Sequence, residues 1–217
     1  AGVRSTLGAE RWRQDGAHAA TAVHVDLPGG DEAMRVILKG LYVTLVSTWG
    51  GPDIKVLRTS TESEVADFLR GWDHDVEFGL ATEVEESGAP WTKAVHLAAG
   101  SRALSFNRVT VRGEAPRPLP ECLHDFLRNK SHTFYGWGLL HAAQLLAFEH
   151  RVFVRGVDLS GRSWPEAAGS HDLRSLSNEL LNMTVPSKSD VTNADWSSLG
   201  VHLSWAVARH LSARHGD

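Results

Sequence analysis

The most regular pattern of apolar and polar positions lies between residues 61 and 106. Thr61 and Glu64 begin it at the spacing of a capping box. Apolar side chains then recur on one face of a 3.6-residue period, at Val65, Phe68, Leu69 and Trp72. Residues 76–84 alternate between apolar and acidic or small residues, which is typical of a strand with one buried face and one wet, acidic face. This order predicts a helix that packs against a sheet.

A β-hairpin follows, with a two-residue turn at Gly100 and Ser101. Pairing about this turn places four apolar side chains on one face, Val95, Leu97, Leu104 and Phe106. His96 and Ser105 then share the other face. The apolar phase shifts after the hairpin, which predicts a β-bulge near 107–108. Together these strands predict an antiparallel meander over about 76–112.

The segments before this region have shorter patterns. Residues 22–27 and 54–57 have the β-branched and apolar content of short strands. Residues 31–41 carry apolar side chains at helical spacing behind a plausible N-cap, which predicts a helix. Residues 42–49 favour a strand by composition, and whether they are helix or strand is left open.

The C-terminal half is mostly helical in pattern. Helices are predicted over about 119–127, over 137–150, from a Ser170 cap to Pro186, and from Thr192 to His215, with one strand over 152–159. Strands thus cluster early in the chain and helices late, so we expect an α+β fold: an antiparallel-rich sheet covered by helices on one side.

The chain length agrees with one domain. Its 217 residues lie within the range that a single core can serve, and no linker divides them. We therefore expect a single α+β domain over residues 1–217, strand-rich over 22–112 and helix-rich over 119–215.

Composition and charge narrow the expected partners and location. The net charge is -4 and Lys and Arg form no stripe, so nucleic acid is not expected as a partner. No apolar run approaches the roughly 20 residues that a membrane span needs. The single Cys122 cannot form an internal disulfide, which favours a cytoplasmic protein. The preference for Val, Leu, Ala and Arg over Ile and Lys is typical of GC-rich coding and indicates a bacterial source.

Strong catalytic motifs such as GxxxxGK, GxGxxG, GxSxG, HExxH and paired CxxC are absent from the sequence. The densest set of possible ligands is Asp73, His74 and Asp75, where the helix gives way to the acidic strand. Oxygen ligands at this spacing could hold a divalent metal ion. A solvated acidic turn is the simpler interpretation of the same residues.

The connection over 129–138 is the second candidate site. It combines an acid–base group, a cation, hydroxyls and aromatic rings. The predicted catalytic residues are His132, Tyr135 and Lys130, and the predicted ligand-binding residues are Trp137, Ser131 and Thr133. In this hypothesis His132 transfers a proton, Lys130 holds an anion and Trp137 stacks on a ring. The alternative is a capping loop whose aromatic residues anchor the next helix.

The content of His and Trp, 12 and 8 residues, is high. Five tryptophans stand beside Gly, Pro or charged residues and are candidates for exposure, Trp12, Trp49, Trp91, Trp137 and Trp164, whereas Trp72 and Trp196 fit core faces. Two hypotheses follow. The first is an interaction or regulatory domain that binds a protein partner or small ligand through exposed aromatic residues. The alternative is a small-molecule enzyme, an acid–base or metal-assisted hydrolase or transferase, that uses His132 and the Asp73, His74 and Asp75 cluster.

Overall fold

The structure is a computed structural model that describes residues 23–25, 35–39, 42–46, 51–85, 91–109, 117–160, 172–190 and 193–215. The strands are β1 (Val23–Val25), β2 (Arg35–Lys39), β3 (Tyr42–Val46), β4 (Ile54–Thr59), β5 (Glu77–Val84), β6 (Thr92–Ala99), β7 (Arg102–Asn107), β8 (Thr133–Gly136) and β9 (Gly156–Asp158). The helices are α1 (Glu62–Arg70), α2 (Glu121–Arg128), α3 (Leu139–His150), α4 (Leu173–Leu181) and α5 (Asn193–His215). The predicted α+β fold class is confirmed.

The described strands form one sheet in the order β1-β2-β3-β4-β7-β6-β5-β8-β9. The pairs β4/β7, β5/β8 and β8/β9 are parallel and the other pairs are antiparallel. The meander of β5, β6 and β7 is confirmed, with Leu97 opposite Leu104 and His96 opposite Ser105. Gly100 in its turn has φ 57, a left-handed conformation that glycine adopts without a steric penalty.

One face of the meander is an aromatic and aliphatic core. Phe78 and Leu80 of β5 and Val95 and Leu97 of β6 are fully or almost fully buried on it. The helices α1, α2 and α3 cover this face with their apolar sides, including the predicted set Val65, Phe68, Leu69 and Trp72. The alternation read from the sequence therefore identifies this face correctly.

The other face packs against α5. Gly79 of β5 lies so close to this helix that a Cβ atom there would be 1.9 Å from the carbonyl oxygen of Val201. Ala98, Ala103, Leu199 and Val201 form the adjoining core. Helices therefore cover both faces of the meander, and the expectations of a one-sided helical cover and of a wet, acidic face are wrong. Small residues on alternate strand positions give a helix room to approach, whereas we had expected solvent there.

The region before β4 differs most from the prediction. Residues 35–39 are strand β2 rather than part of a helix over 31–41, and β2 pairs with β3 from Arg35↔Val46 to Lys39↔Tyr42. Pairing within the sheet overrides the helical spacing of the apolar residues in this segment. The sequence left open whether residues 42–49 are helix or strand. Within this segment, Tyr42–Val46 form a strand. Residues 31–34 lie outside the described residues.

Several boundaries also differ. The ladder shift falls at Glu83 and Val84, whereas β7 ends at Asn107 where a bulge was predicted. The late strand is Gly156–Asp158 and is shorter than 152–159. Asp172 caps α4 by accepting a hydrogen bond from the Ser175 N–H at 2.8 Å, and the predicted cap Ser170 lies outside the described residues.

Candidate ligand-binding site

His132 lies in the aromatic core under α2. It is 7% exposed and its ring centroid is 4.4 Å from that of Phe126 and 4.9 Å from that of Phe78. Nδ1 is 3.0 Å from the Phe126 carbonyl oxygen, so it carries the proton and donates. Nε2 then accepts from the Asn129 amide at 3.2 Å. Burial lowers the pKa of His132, which also favours this neutral form.

The other residues predicted for the 129–138 site are spread over different surroundings. Tyr135 on β8 donates its hydroxyl to Glu77 Oε1 at 3.0 Å, and burial raises its pKa. Ser131 donates to Asn129 Oδ1 from both its backbone N–H and its hydroxyl. Lys130 is exposed, and Thr133 is a half-buried residue in β8. The structure thus contains a strand, β8, where a loop was expected. The catalytic and binding roles of these residues stay predictions.

Asp73, His74 and Asp75 are all exposed in the turn after α1. Within the described segments, no group of three or more His, Cys, Asp or Glu side chains is arranged to hold a metal ion. The metal-binding role of Asp73, His74 and Asp75 therefore stays a prediction.

Asp73 and His132 nevertheless line one cavity of about 430 Å³ between α1 and α2. Cys122 and Asp125 also line it, and burial raises the pKa of the Cys122 thiol, which makes this thiol a poor nucleophile. Residues of the two predicted sites thus meet in this cavity. The nitrogens of His132 are already engaged with Phe126 and Asn129, so a ligand in this cavity would have to displace one of these partners.

A second cavity, of about 450 Å³, lies on the opposite face of the sheet, and we call it the α5 pocket. Its lining residues are Ala81, Trp137, Asp172, Leu173, Arg174, Ser187, Lys188, Trp196, Ser197, Gly200 and Ser204. Its volume lies within the range of small-molecule sites. Of the predicted ligand-binding residues, Trp137 lines it.

Small residues on α5 leave the room for this pocket. Ser197, Gly200 and Ser204 are spaced i, i+3 and i+7 and thus share one side of the helix. A Cβ atom at Gly200 would meet only Leu173, at 3.9 Å. Two half-buried indoles, of Trp137 and Trp196, add flat apolar surface to the pocket.

Two cations stand at the rim of the α5 pocket. Arg174 is exposed and donates its Nε–H to the Val185 carbonyl at 2.7 Å, and Lys188 is exposed in the short 3₁₀ helix Lys188–Asp190. The Asp172 carboxylate is bound to the Ser175 N–H at 2.8 Å, which lowers its pKa. The rim thus carries two exposed cations and one carboxylate, and an anionic group can reach the cations.

Glu83 of β5 lies behind the pocket wall. It accepts a hydrogen bond from the Ser197 hydroxyl at 2.5 Å, and His96 Nε2 lies 3.2 Å from the same oxygen, Oε1. His96 lowers the pKa of Glu83 most; burial acts against it and Ser197 adds to the lowering, giving a pKa of about 2. The carboxylate is therefore ionised at neutral pH and is a weak general base.

The start of α5 is fixed beside this group. Asp195, 3% exposed, forms an ion pair with Arg58 of β4. Arg58 pairs with Ser105 across β4 and β7, and Ser105 pairs with His96 across β7 and β6. These polar residues lie side by side across the sheet under the first turns of α5. The ion pair between Arg58 and Asp195 positions Ser197 at the pocket.

The predicted exposed tryptophans give a mixed result. Trp91 and Trp137 are half-buried, and Trp12, Trp49 and Trp164 lie outside the described residues. Trp196, expected in the core, is half-buried and lines the α5 pocket. The strongly exposed aromatic side chains of the described part are Phe148 and Phe153, at 69% and 77%.

The sequence interpretation missed Glu83, Trp196, Ser197 and Lys188 as site residues. The run of small residues at 197, 200 and 204 is visible in the sequence and could have indicated an open helix face. The proximity of Glu83 to Ser197 joins residues 114 positions apart, and no local pattern indicates it.

Comparison with known proteins gives a broad likeness only. No protein-family model matches the chain, and no curated protein matches it. Similar solved structures include the EXD2 exonuclease domain soaked in Mn (18% identity, 73% of this chain and 89% of that chain, TM-score 0.42) and soaked in Mn and Mg (20%, 73% and 92%, 0.42). The same domain soaked in Mg and GMP has 17% identity, covers 73% and 88%, and has a TM-score of 0.41.

At such identities and TM-scores, no residue role, metal or reaction is carried over to this chain. The prediction that nucleic acid is not a partner is wrong, because the similar structures are exonuclease domains and one was soaked with GMP. The weakness of that prediction is that a net charge of -4 is a sum over the chain and says nothing of local charge: Arg174 and Lys188 bring two cations to one pocket, beside the carboxylate of Asp172.

In the described segments, no helix has both the length and the apolar character that crossing a membrane requires. The cytoplasmic location stays a prediction.

Proposed function

We propose that the chain binds a small anionic ligand with a flat ring, of the nucleotide class, in the α5 pocket. The observation that carries the proposal is the convergence of Trp137, Trp196, Arg174 and Lys188 on one cavity of about 450 Å³. Indole surfaces stack on flat rings, and guanidinium and ammonium groups bind phosphate. Serine hydroxyls in the same cavity supply polar contacts that orient a ligand.

The geometry supports binding better than catalysis. The ionised Glu83 carboxylate, with its pKa of about 2, is a weak proton acceptor, and His96 behind it is 1% exposed. Within the described residues no three-ligand metal set accompanies them. The enzyme alternative is therefore the second candidate: a reaction on a nucleotide-containing substrate held in the same pocket, with which the likeness to exonuclease domains agrees.

Isothermal titration with GMP tests the binding proposal. Trp137→Ala and Lys188→Ala should each weaken affinity by about tenfold, since one stacking contact or one charged contact contributes about 1–2 kcal/mol. Lys130→Ala is the matched control, because Lys130 is also exposed but lies outside the pocket. GMP binding that is absent, or that all three variants weaken equally, would contradict the proposal.

The enzyme alternative is tested with the same preparations. A labelled single-stranded oligonucleotide is incubated with the protein in Mg²⁺ or Mn²⁺, and products are separated by length. Release of mononucleotides that Trp137→Ala reduces would establish catalysis in the pocket. Binding of GMP without product release would support the binding function alone.

A further inference from the structure

On the α5 side of the pocket, two serine hydroxyl groups donate their protons to acceptors of the protein itself. Ser197 donates its one hydroxyl proton to Glu83 at 2.5 Å. Ser204 donates its proton to the carbonyl oxygen of Gly200 at 2.9 Å. A serine hydroxyl has a single proton and two lone pairs, so a hydroxyl that already donates can act toward a ligand only as an acceptor.

The hydrogen bonds that Ser197 and Ser204 donate differ in strength. The Ser204 bond is a neutral bond within a helix, and such a hydroxyl can rotate toward a ligand at small cost. The Ser197 bond runs to a carboxylate whose side chain is only 25% exposed, and the adjacent His96 imidazole is 1% exposed. Bonds to an ionised acceptor are roughly twice as strong as neutral ones. Turning the Ser197 proton toward a ligand would also leave a half-buried carboxylate oxygen without its donor.

Glu83 is held in this arrangement by the fold. Its position on β5 is fixed by pairing with Ala94 of β6, and α5 is fixed above it by the ion pair between Arg58 and Asp195. Both partners of the Ser197 bond therefore belong to elements with little freedom to separate.

We infer that Ser197 is a specificity determinant that accepts a hydrogen bond, so the pocket selects ligands that direct an N–H or O–H donor at this residue. Ligands that place a ring nitrogen or carbonyl there meet a second acceptor and bind weakly. The inference rests on the proposed function, since it assigns the donor pattern of the ligand held in the same pocket.

The experiment compares nucleotides that differ by one donor. The pairs are GMP with inosine monophosphate (base amino group), AMP with purine riboside monophosphate (base amino group) and GMP with dGMP (2′-hydroxyl). In the wild-type chain, the two members of one pair should differ in affinity by about tenfold. This is the effect expected of one hydrogen bond with a buried partner. In Ser197→Ala this ratio should fall to about one, through loss of affinity of the donor-bearing member.

Glu83→Leu supplies the decisive variant. Leucine removes the carboxylate that accepts the Ser197 proton, so the hydroxyl is free to donate toward the ligand and the ratio should fall below about threefold while the Ser197 side chain is retained. Ser131→Ala, which removes an exposed hydroxyl outside the pocket, should keep the wild-type ratio. Thermal melts and near-UV circular dichroism establish that each variant is folded.

The outcomes separate the two proposals. If no nucleotide binds the wild-type chain, the proposed function fails and the inference fails with it. If nucleotides bind but no pair is discriminated, or if Ser197→Ala or Glu83→Leu keeps the wild-type ratio, the inference is overturned and the pocket assignment stands.

Discussion

The two faces of the β5–β7 meander are made from the same strands and differ in almost every other respect. One face carries Phe78, Leu80, Val95 and Leu97, against which α1, α2 and α3 pack. The other carries Gly79, Ala81, Glu83 and His96, and α5 lies across it. Alternate residues of a strand point to opposite faces, so the sequence of one strand contains the side chains of both faces.

The difference in side-chain size between the two faces indicates where a ligand can bind. On the aromatic face, large rings pack closely, and His132, which lines the cavity between α1 and α2, has both nitrogens occupied. On the α5 face, small side chains bring the helix backbone close at Gly79 and leave a cavity beyond Ala81. Charged groups gather beside that cavity. The first face stabilises the fold, and the second carries the pocket for which we propose ligand binding.

Phe78→Ala should give the largest loss of stability. Phe78 is fully buried, and its ring contacts those of Trp72, Phe126 and His132. Removal of a buried phenyl ring from a packed core costs about 4 kcal/mol in the free energy of unfolding. Urea denaturation followed by circular dichroism measures it. A loss below about 1 kcal/mol would mean that the aromatic face is not the main core.

Gly79→Ala tests the opposite face at the adjacent position. The new Cβ would lie 1.9 Å from the Val201 carbonyl oxygen, so α5 must shift, at a cost of about 3 kcal/mol. Gly200→Ala is the matched control within α5, where the nearest atom is 3.9 Å away. This control should be neutral or should stabilise by up to about 1 kcal/mol through helix propensity. Equal melting temperatures for the two variants would contradict the close approach of α5.

His202, on the sheet side of α5, makes this face sensitive to acid. Burial lowers its pKa from 6.5 to about 4. Between these values the unfolded chain binds a proton that the folded chain does not, so the free energy of unfolding falls as the pH falls. From pH 6.5 to 4.5 the loss from this residue is about 2 kcal/mol.

His202→Gln removes this titration and should flatten that part of the pH dependence in urea titrations. His132 and His150, whose pKa values burial also lowers, retain part of the slope. His74→Gln, at an exposed histidine, is the matched control for replacing one histidine by glutamine. A variant at 202 with an unchanged slope would show that the residue is not buried in solution.

Asn129→Ala should have the smallest of these effects. It removes the donor to His132 Nε2 and leaves a buried acceptor unpaired, which costs about 1 kcal/mol. Ser131→Ala removes an exposed hydroxyl bonded to the same Asn129 and should change stability by less than about 0.5 kcal/mol. Nitrogen chemical shifts of His132 report its tautomer directly. A proton found on Nε2 in the wild-type chain would exclude the arrangement described for the core.

The parts of the fold that local periodicity encodes were predictable. The helix after Thr61, the alternation from residue 76 and the register of Leu97 with Leu104 all follow from neighbours in the sequence. The helix expected over 31–41 was wrong because apolar residues at helical spacing also suit a strand within a sheet. The strand β8 was missed because four residues of parallel pairing leave little periodic signal.

For the site, sequence alone predicted a ligand-binding role for Trp137, which lines the α5 pocket, and left its surroundings open. Periodicity determined which side chains share a face, because side-chain direction is set by the local backbone. Only the tertiary structure decided that α5 covers the acidic strand face, that Glu83 meets Ser197 and His96, and that the two cations join two indoles. Contacts between residues more than a hundred positions apart depend on how whole elements pack, and a linear pattern does not encode that packing.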